Sequence, residues 1–406
     1  MGRETCAIDD SGPMPVERPG SVAELKNLIR QADAVFPAGG RTMLELGTPP
    51  AREGIVVDLR GLNQVIEFAP RDMTLTVQAG ITLADIARLL ASENLRLPID
   101  VPHPEQATLG GAIAVNASGP RRYGFGTFRD FIIGITVVDD QGRETKAGGR
   151  VVKNVAGYDL CKLHVGALGT LGLITQVTLK LRPRAEAAAL VTLGCQSGQV
   201  GPVLDLLHAS RTRPVVLDVL HARGLRPPLA GHLPWVIVLG FEESADAVKW
   251  QISQLIKETS TAPVEGLSVH VERVAGPLWE ELRDFPLLPG AVLSFKVNLP
   301  PHAVAGFVEH FAGLPEAPLL QAQAGNGIIH GHFLGTLTAE RAAGILKEMH
   351  ALAASDGGNV IVYRCPAAWK RTLPVWGLPP SDRWLMRRVK EQLCPRELFN
   401  PGRFLV

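Results

Sequence analysis

Three glycine-rich stretches in the first half of this chain constrain its fold more than any other feature. The first is Pro37-Ala38-Gly39-Gly40-Arg41-Thr42. The second runs from Thr108 through Gly110, Gly111 and Asn116 to Ala117-Ser118-Gly119. The third is Lys153-Asn154-Val155-Ala156-Gly157-Tyr158-Asp159, continuing to Gly166-Ala167-Leu168-Gly169-Thr170-Leu171-Gly172-Leu173-Ile174. Glycine adopts positive φ cheaply and lets backbone approach a ligand closely. Successive exposed amides in such turns form anion-binding nests. One such loop alone is only a tight turn. Three in order, separated by strand-like and helix-like runs, predict one large phosphate-bearing cofactor held by main chain. The spacing excludes the common nucleotide fingerprints. No Gly-Lys-Ser/Thr end exists for a Walker loop. Gly166, Gly169 and Gly172 lead into the strand-like Ile174–Leu181, not into the helix a Rossmann turn requires.

The 406 residues exceed one typical domain. Lysines and arginines number 41 against 40 acids, a net charge of +1 that favours neither nucleic acid nor an anionic surface. The acid-bearing N-terminus does not read as a signal peptide. The apolar run around Pro234–Gly240 is too short to span a bilayer. Five scattered cysteines without a C-x-x-C pair argue for reduced thiols in a cytoplasmic protein and against an iron–sulfur cluster held by this chain.

Periodicity predicts helices over 21–32 and 82–90, each opened by a hydroxyl cap (Ser21, Thr82) with an acid three residues on. Strands are predicted at 34–37, 55–59, 74–78, 130–139 and 174–181 by β-branched content. The segment 104–119 has a second reading, a glycine-tolerant helix packed tightly on a strand. Beyond Pro183 the pattern alternates: strands at 215–220, 235–240, 269–274 and 292–299, helices at 244–258 and 303–311. A tail helix over 381–393 places Trp384, Leu385, Val389 and Leu393 on one face, expected to pack inward. This mixture predicts an α+β fold rather than regular βαβ alternation.

The ordered motifs, with a terminal Phe399-Asn400-Pro401-Gly402-Arg403, resemble the PCMH-type FAD-binding fold of the vanillyl-alcohol oxidase family. Within it they resemble the smaller flavin subunits of bacterial glycolate oxidases. The likeness covers roughly 15–185 and the last ten residues. It implies an FAD-binding domain over 1–185, an α+β cap or substrate domain over 186–370, and a segment 371–406 returning to the FAD domain. It further implies that Ala38, Gly39, Gly40, Arg41 and Thr42 wrap the FAD pyrophosphate. Pro104, Thr108, Gly110, Gly111, Ala117, Ser118 and Gly119 would line the flavin side. Asn154, Gly157 and Tyr158 would contact the cofactor, and Gly169, Thr170, Gly172 and Ile174 would serve its adenine–ribose side, with Asn400 beside the cofactor. The first loop lacks a His or Cys, so the FAD is expected to be non-covalent.

The substrate side is less legible. His330 and His332 lie two apart, on one face if Gly325–His332 is a strand. His330 is the expected base close to the flavin, as the equivalent segment of related D-2-hydroxyacid dehydrogenases implies; the other reading makes both ordinary strand residues. No H-x6-H or His-His pair accompanies it, so no metal is expected. Arg364 and Arg371 are the candidates for a bidentate clamp on a substrate carboxylate. The resemblance implies oxidation of glycolate, or another short 2-hydroxy acid, alongside a larger FAD subunit and an iron–sulfur subunit. The latter partners would also provide any peripheral attachment to the inner membrane. A stand-alone D-lactate or 2-hydroxyacid dehydrogenase, or a flavin-holding subunit without catalysis, remain open from the residues alone.

Overall fold

Several of the longer strands are rich in β-branched residues, and amphipathic helices lie between strands along the chain. The structure, a computed structural model, describes residues 4–149, 158–224 and 233–405. In chain order the first strands are β1 (Thr5–Cys6), β2 (Met14–Glu17), β3 (Val35–Ala38), β4 (Ile55–Asp58), β5 (Val65–Ala69) and β6 (Thr74–Gln78). They are followed by β7 (Leu95–Arg96), β8 (Ile132–Val138), β9 (Glu144–Gly148), β10 (Leu173–Lys180) and β11 (Arg182–Pro183). Then come β12 (Ala187–Cys195), β13 (Val216–His221), β14 (Trp235–Glu243), β15 (Glu265–Val271), β16 (Ala291–Asn298), β17 (Leu319–Gln323), β18 (Ile328–Leu334) and β19 (Asn359–Arg364).

The chain divides into two compact units. One comprises Met1–Ser118, Thr127–Arg184 and Ala367–Val406; the other comprises Gly119–Gly126 and Ala185–Pro366. The return to the first unit thus falls earlier than the expected 371, and Gly119–Gly126, expected with the FAD domain, joins the second unit.

The first unit holds a four-stranded sheet, order β1-β2-β4-β3, and a five-stranded sheet, order β5-β6-β10-β8-β9. Alternation along the first sheet fills both of its faces. Val35 and Val57 pack with Leu25 and Ile29 of the helix Val22–Gln31 and with Leu398 and Phe399 from the tail. Phe36, Ala38 and Val56 pack on the other face with Ile8 and Met14. The second sheet buries Leu75, Val77, Ile135, Val137, Val177 and Leu179 together with the helices Leu83–Ala91 and Leu109–Ala114.

The predicted caps are present, with altered closure. The Ser21 hydroxyl accepts from the Glu24 amide at 3.2 Å, but the Glu24 carboxylate reaches back to the Gly20 amide rather than to Ser21. The Thr82 hydroxyl accepts from the Asp85 amide and donates to the Asp85 carboxylate.

The second unit is one eight-stranded sheet, order β15-β12-β14-β13-β17-β18-β16-β19, antiparallel at each pairing. One departure from expectation lies beside β15. The strand stops at Val271 and a helix, Glu272–Asp284, follows where strand was expected through 274. Its interior Pro277 masked that helix, because proline removes an amide donor and normally marks a helix boundary. The helix buries Leu278 and Leu282 against Leu190, Leu220, Val236 and Val238 of the sheet. The tail helix forms over Arg383–Leu393, but its apolar residues do not pack as expected. Trp384 and Leu385 are largely exposed, and Lys390 is the buried position. Among the described residues, no helix is long and apolar enough to cross a membrane.

Candidate functional site

In the first unit the three glycine stretches converge. β3 delivers Gly39 and Gly40 against the second stretch. A Cβ on Gly39 would lie 2.0 Å from the Thr108 hydroxyl, and one on Gly40 would lie 1.8 Å from the Gln106 carbonyl oxygen. Only glycine fits either place. The third stretch docks on the first two. Gly166 donates its amide to the Ile113 carbonyl at 3.0 Å, and Leu168 donates to Ala114 at 2.8 Å. A Cβ on Gly169 would lie 2.9 Å from the Pro37 ring. Gly166, Gly169 and Gly172 all have positive φ, as does Leu168 at 52°, so this turn is held in a left-handed course.

The individual residues divide by what their polar groups already do. Among the described residues, the amides of Gly40, Arg41 and Thr42 donate to no protein oxygen, which leaves a run of donors suited to phosphate. Arg41 itself turns its guanidinium to Glu4 at 2.9 Å and toward Asp58 at 3.6 Å, so its side chain serves an ion cluster at the loop's edge. Thr108 is spent as the N-cap of the helix Leu109–Ala114, accepting from Gly111. Gly110 donates to Ala79, and its missing Cβ would meet Ala79 at 2.9 Å. The tight helix-on-strand reading therefore accounts for Gly110. Gly111 faces open space apart from the Thr108 hydroxyl. The Pro104 carbonyl accepts from Ala84. Ala117 packs on the core edge. Thr170 is buried and donates its hydroxyl to the Ala167 carbonyl. Ile174 is buried in β10, paired with Val137. Tyr158 is 94% exposed. Asn154 and Gly157 lie outside the described residues.

An FAD molecule fits what this cradle offers. It presents unengaged amides at 40–42 and a buried Asn116 Oδ1 with no protein partner, on a residue whose φ is also positive at 50°. The residues of the first loop include no His or Cys that could form a covalent bond to the ring.

The second unit supplies a different constellation. Its central strands are two-faced. Residues of one parity, Val219, Ala322, Ile329, Val297 and Val360, are buried and wholly apolar. The opposite parity carries Asp218, Gln321, Gln323, His330, His332, Lys296 and Ser294. Register sets these side by side: His330 lies opposite Lys296 on β16 and Gln321 on β17, and Gln323 lies opposite Asp218. Cross-strand neighbours have Cβ atoms roughly 5 Å apart. A buried polar row within a sheet is the informative exception to apolar interiors.

Some of the row is satisfied. His332 lies between the Ser294 hydroxyl at 2.9 Å and the Phe285 carbonyl at 2.7 Å, and burial brings its pKa down to about 4. It is a neutral structural histidine whose Nε2 donates to the carbonyl. Gln321 donates to the Asp218 carboxylate at 2.7 Å and to the Leu282 carbonyl. The rest is not. His330 Nδ1, Gln321 Oε1, both amide atoms of Gln323, and Asn326 Oδ1 are buried without a protein partner.

The electrostatics around His330 are cationic. Burial first, then Lys296, His332 and Arg122, hold its pKa well below the ordinary value. Desolvation, then Arg122, brings Lys296 down to about 8. The Tyr363 ring lies 5.8 Å from His330, and burial raises its phenol above the usual range. Arg122 opens the short helix Arg122–Phe125, whose Tyr123 ring presses on Gly325 of the Gly325-Asn326-Gly327 turn so closely that a Cβ there would lie 2.3 Å away.

Of the expected catalytic residues, the structure brings His330 into this cluster. Arg364 stands opposite Ser294, beside His332, and donates to the Leu288 carbonyl at 3.5 Å. Arg371 is in the first unit, in an exposed ion pair with Asp10. The sequence made it the second candidate for the carboxylate clamp, and here its guanidinium is engaged by Asp10. Lys296, Arg122, Tyr363, Gln323 and Asn326 were missed. The one signal was a lysine in the alternating Leu293, Phe295, Val297 strand, a charge on the face opposite the core. Among the described residues, no three His, Cys, Asp or Glu side chains gather as a metal site requires.

Comparison with known proteins defines the class. Residues 13–148 match the FAD binding domain family. These residues are a PCMH-type FAD-binding domain, the domain of a family of FAD-dependent oxidoreductases. The chain is 27% identical to glycolate oxidase subunit GlcE of Escherichia coli, over 90% of this chain and 91% of that one. It is 27% identical to the D-lactate dehydrogenase of Archaeoglobus fulgidus, over 96% and 90%. Glycolate oxidase subunit GlcD of Bacillus subtilis is 39% identical, over 37% of this chain and 32% of that one. The fold matches the solved alkyldihydroxyacetonephosphate synthase with a TM-score of 0.70 at 19% identity, covering 97% of this chain and 78% of that one.

Proposed function

We propose that this chain oxidises a short 2-hydroxy acid, glycolate or a close analogue, to the 2-oxo acid, holding FAD non-covalently in its first unit. The observation that carries the reading is the buried polar row of the second unit, with unpartnered His330 beside the Lys296 and Arg122 cations. Buried polar atoms left without partners cost about 1–3 kcal/mol each, so such a cluster points to a ligand with matching polarity. A 2-hydroxy acid has it. Its carboxylate pairs with Lys296 and Arg122, and its hydroxyl donates to His330 Nδ1. The amides of Gln323 and Asn326 supply further hydrogen bonds.

The charges make the base substrate-dependent. Without substrate, burial and the cations keep His330 neutral and a weak base. A bound carboxylate offsets that positive field and raises the proton affinity of His330 as the hydroxyl is engaged. His330 then takes the hydroxyl proton as the α-carbon loses its hydrogen. When bound, FAD supplies the acceptor for that hydride. Electrons leave through a larger flavin subunit and an iron–sulfur subunit, for which this chain has no cysteine cluster of its own. In this reading the complex works in the cytoplasm, and attachment to the inner membrane comes through those partners.

Rapid mixing of the flavin-loaded protein with glycolate or D-lactate under anaerobic conditions tests the assignment. The Lys296→Met variant is expected to raise the substrate concentration for half-maximal flavin reduction by about tenfold to a hundredfold. His330→Gln is expected to slow the reduction step about a hundredfold or more while leaving FAD bound. Parental behaviour in both variants means the polar row does not serve the substrate.

A further inference from the structure

We infer that the tail Phe399–Arg403 positions the FAD cradle, with Asn400 and Arg403 as positioning residues that set the loops without themselves touching the cofactor. The inference rests on the assignment of the first and third glycine stretches to FAD. Its basis is where the tail's hydrogen bonds go. Phe399 bridges Val35, the first residue of the strand that delivers the first loop. Val35 donates to Leu398 and Asn400 donates back to Val35, both at 2.9 Å. The tail thus extends the sheet at the point where the chain enters Gly39–Thr42.

The same few residues hold the chain where it leaves that loop. Arg403 is buried and donates to the carbonyls of Leu44, Leu46 and Thr48. Its charge is met by Asp9, which also pairs with buried Lys370, and Lys370 donates to the Glu45 carbonyl. Two buried cations therefore collect four successive or near-successive carbonyls of 44–48, with one buried carboxylate as counter-ion. Backbone contact is close as well. A Cβ on Gly47, at φ 103°, would lie 2.4 Å from the Arg403 carbonyl oxygen. Thr48 donates to Gly402, and Ala51 donates to Pro401.

Asn400 reaches the third stretch. Its side-chain amide donates to the Leu168 carbonyl at 2.6 Å, within the left-handed turn Leu168–Gly169. Asn400 itself holds φ at 46°, a conformation that asparagine tolerates better than other side chains. One residue thus ties β3, which enters the first loop, to the turn that carries Gly169 and Gly172. Its side-chain donor is used on the protein, at a position where the resemblance implies a place beside the cofactor.

The test compares Asn400→Gly, Asn400→Ala and Arg403→Lys with the parent protein. Asn400→Gly keeps the backbone free to hold positive φ and removes only the side-chain tie; Asn400→Ala also strains the backbone. FAD affinity is titrated onto deflavinated protein, the apoprotein melting temperature is recorded, and the visible spectrum and reduction potential of bound flavin are read. The expected result is FAD binding about tenfold weaker in Asn400→Gly, weaker again in Asn400→Ala, with a shifted flavin spectrum or potential and little change in apoprotein melting. Arg403→Lys is expected to weaken FAD binding in the same way, because an ammonium lacks the guanidinium fork that spans several carbonyls. Unchanged FAD affinity in both Asn400→Gly and Arg403→Lys overturns the inference. So does a loss of affinity that only follows a fall in apoprotein melting, since the tail then does no more than hold the fold. Gly40→Val serves as a separate control: full FAD binding in that variant overturns the loop assignment itself.

Discussion

Gly40 shows most sharply how one position decides cofactor binding. A side chain there must displace the Gln106 backbone at 1.8 Å, not the far end of a flexible chain. Gly40→Val is therefore expected to yield protein without flavin colour while the second unit's sheet is unaffected, as circular dichroism and bound-FAD absorbance will show. Lys296 makes a second prediction at this scale. Its ammonium is present below about pH 8 and lost above it. If it anchors the carboxylate, kcat/KM falls on the alkaline side with a pKa near 8, and Lys296→Arg moves that limb upward. His330 stays neutral well below pH 6.5, so no acid limb is expected at the ordinary histidine value. Asp58 makes a third. Burial alone would raise its pKa, but hydrogen bonds from Arg60 and Arg18 more than cancel this and bring it to about 2. A depressed carboxylate stabilises the fold above its unfolded pKa near 4 and loses that contribution as pH falls toward 2. Asp58→Asn is expected to cost about 2 kcal/mol at neutral pH and to flatten the acid-unfolding curve between pH 4 and 2. The glycines were legible because a turn's backbone needs leave a mark in composition. Lys296, Arg122 and Tyr363 were not, because strand register and the return of 119–126 bring them together from distant parts of the chain.

Elements were legible where local chemistry decides them. Ser21 and Thr82 cap the helices their sequence announces, since the acceptor and the amides it satisfies lie within one turn. The helix Glu272–Asp284 was hidden because Gly276 and Pro277 contradict it locally, and packing of Leu278 and Leu282 on the sheet overrides them. Leu282→Ala is accordingly expected to destabilise by about 3 kcal/mol in urea unfolding. The tail helix errs the other way. Periodicity gave Trp384, Leu385, Val389 and Leu393 a shared stripe, yet a stripe says only that residues share a side, not that the protein covers it. Trp384 is 61% exposed, so Trp384→Ala is expected to change stability by no more than about 0.5 kcal/mol in the same assay.

At the scale of the whole molecule, the proposed function puts the cofactor in the first unit and the substrate's polar contacts in the second. The first unit is held by glycine loops, the tail and mixed sheets; the second is an antiparallel sheet that carries a row of polar side chains on part of one face, beside the apolar patch covered by the helix Glu272–Asp284. The α+β class was readable from the mixture of strand and helix patterns, and the FAD-binding identity of the first part from motif order. The polar face of the second part was not, because each of its residues is ordinary alone and acquires meaning only through its cross-strand neighbours. Relatives include two different subunits of glycolate oxidase and a D-lactate dehydrogenase, and the central claim is that the oxidation takes place on this chain. The most direct measurement is the visible spectrum of the purified, flavin-loaded chain before and after anaerobic addition of excess glycolate or D-lactate. The oxidised-flavin band is expected to bleach with either acid, and Lys296→Met to need about tenfold to a hundredfold more acid for the same bleaching. A band that stays oxidised in the parent protein with both acids contradicts the claim, and places the oxidation on a partner subunit.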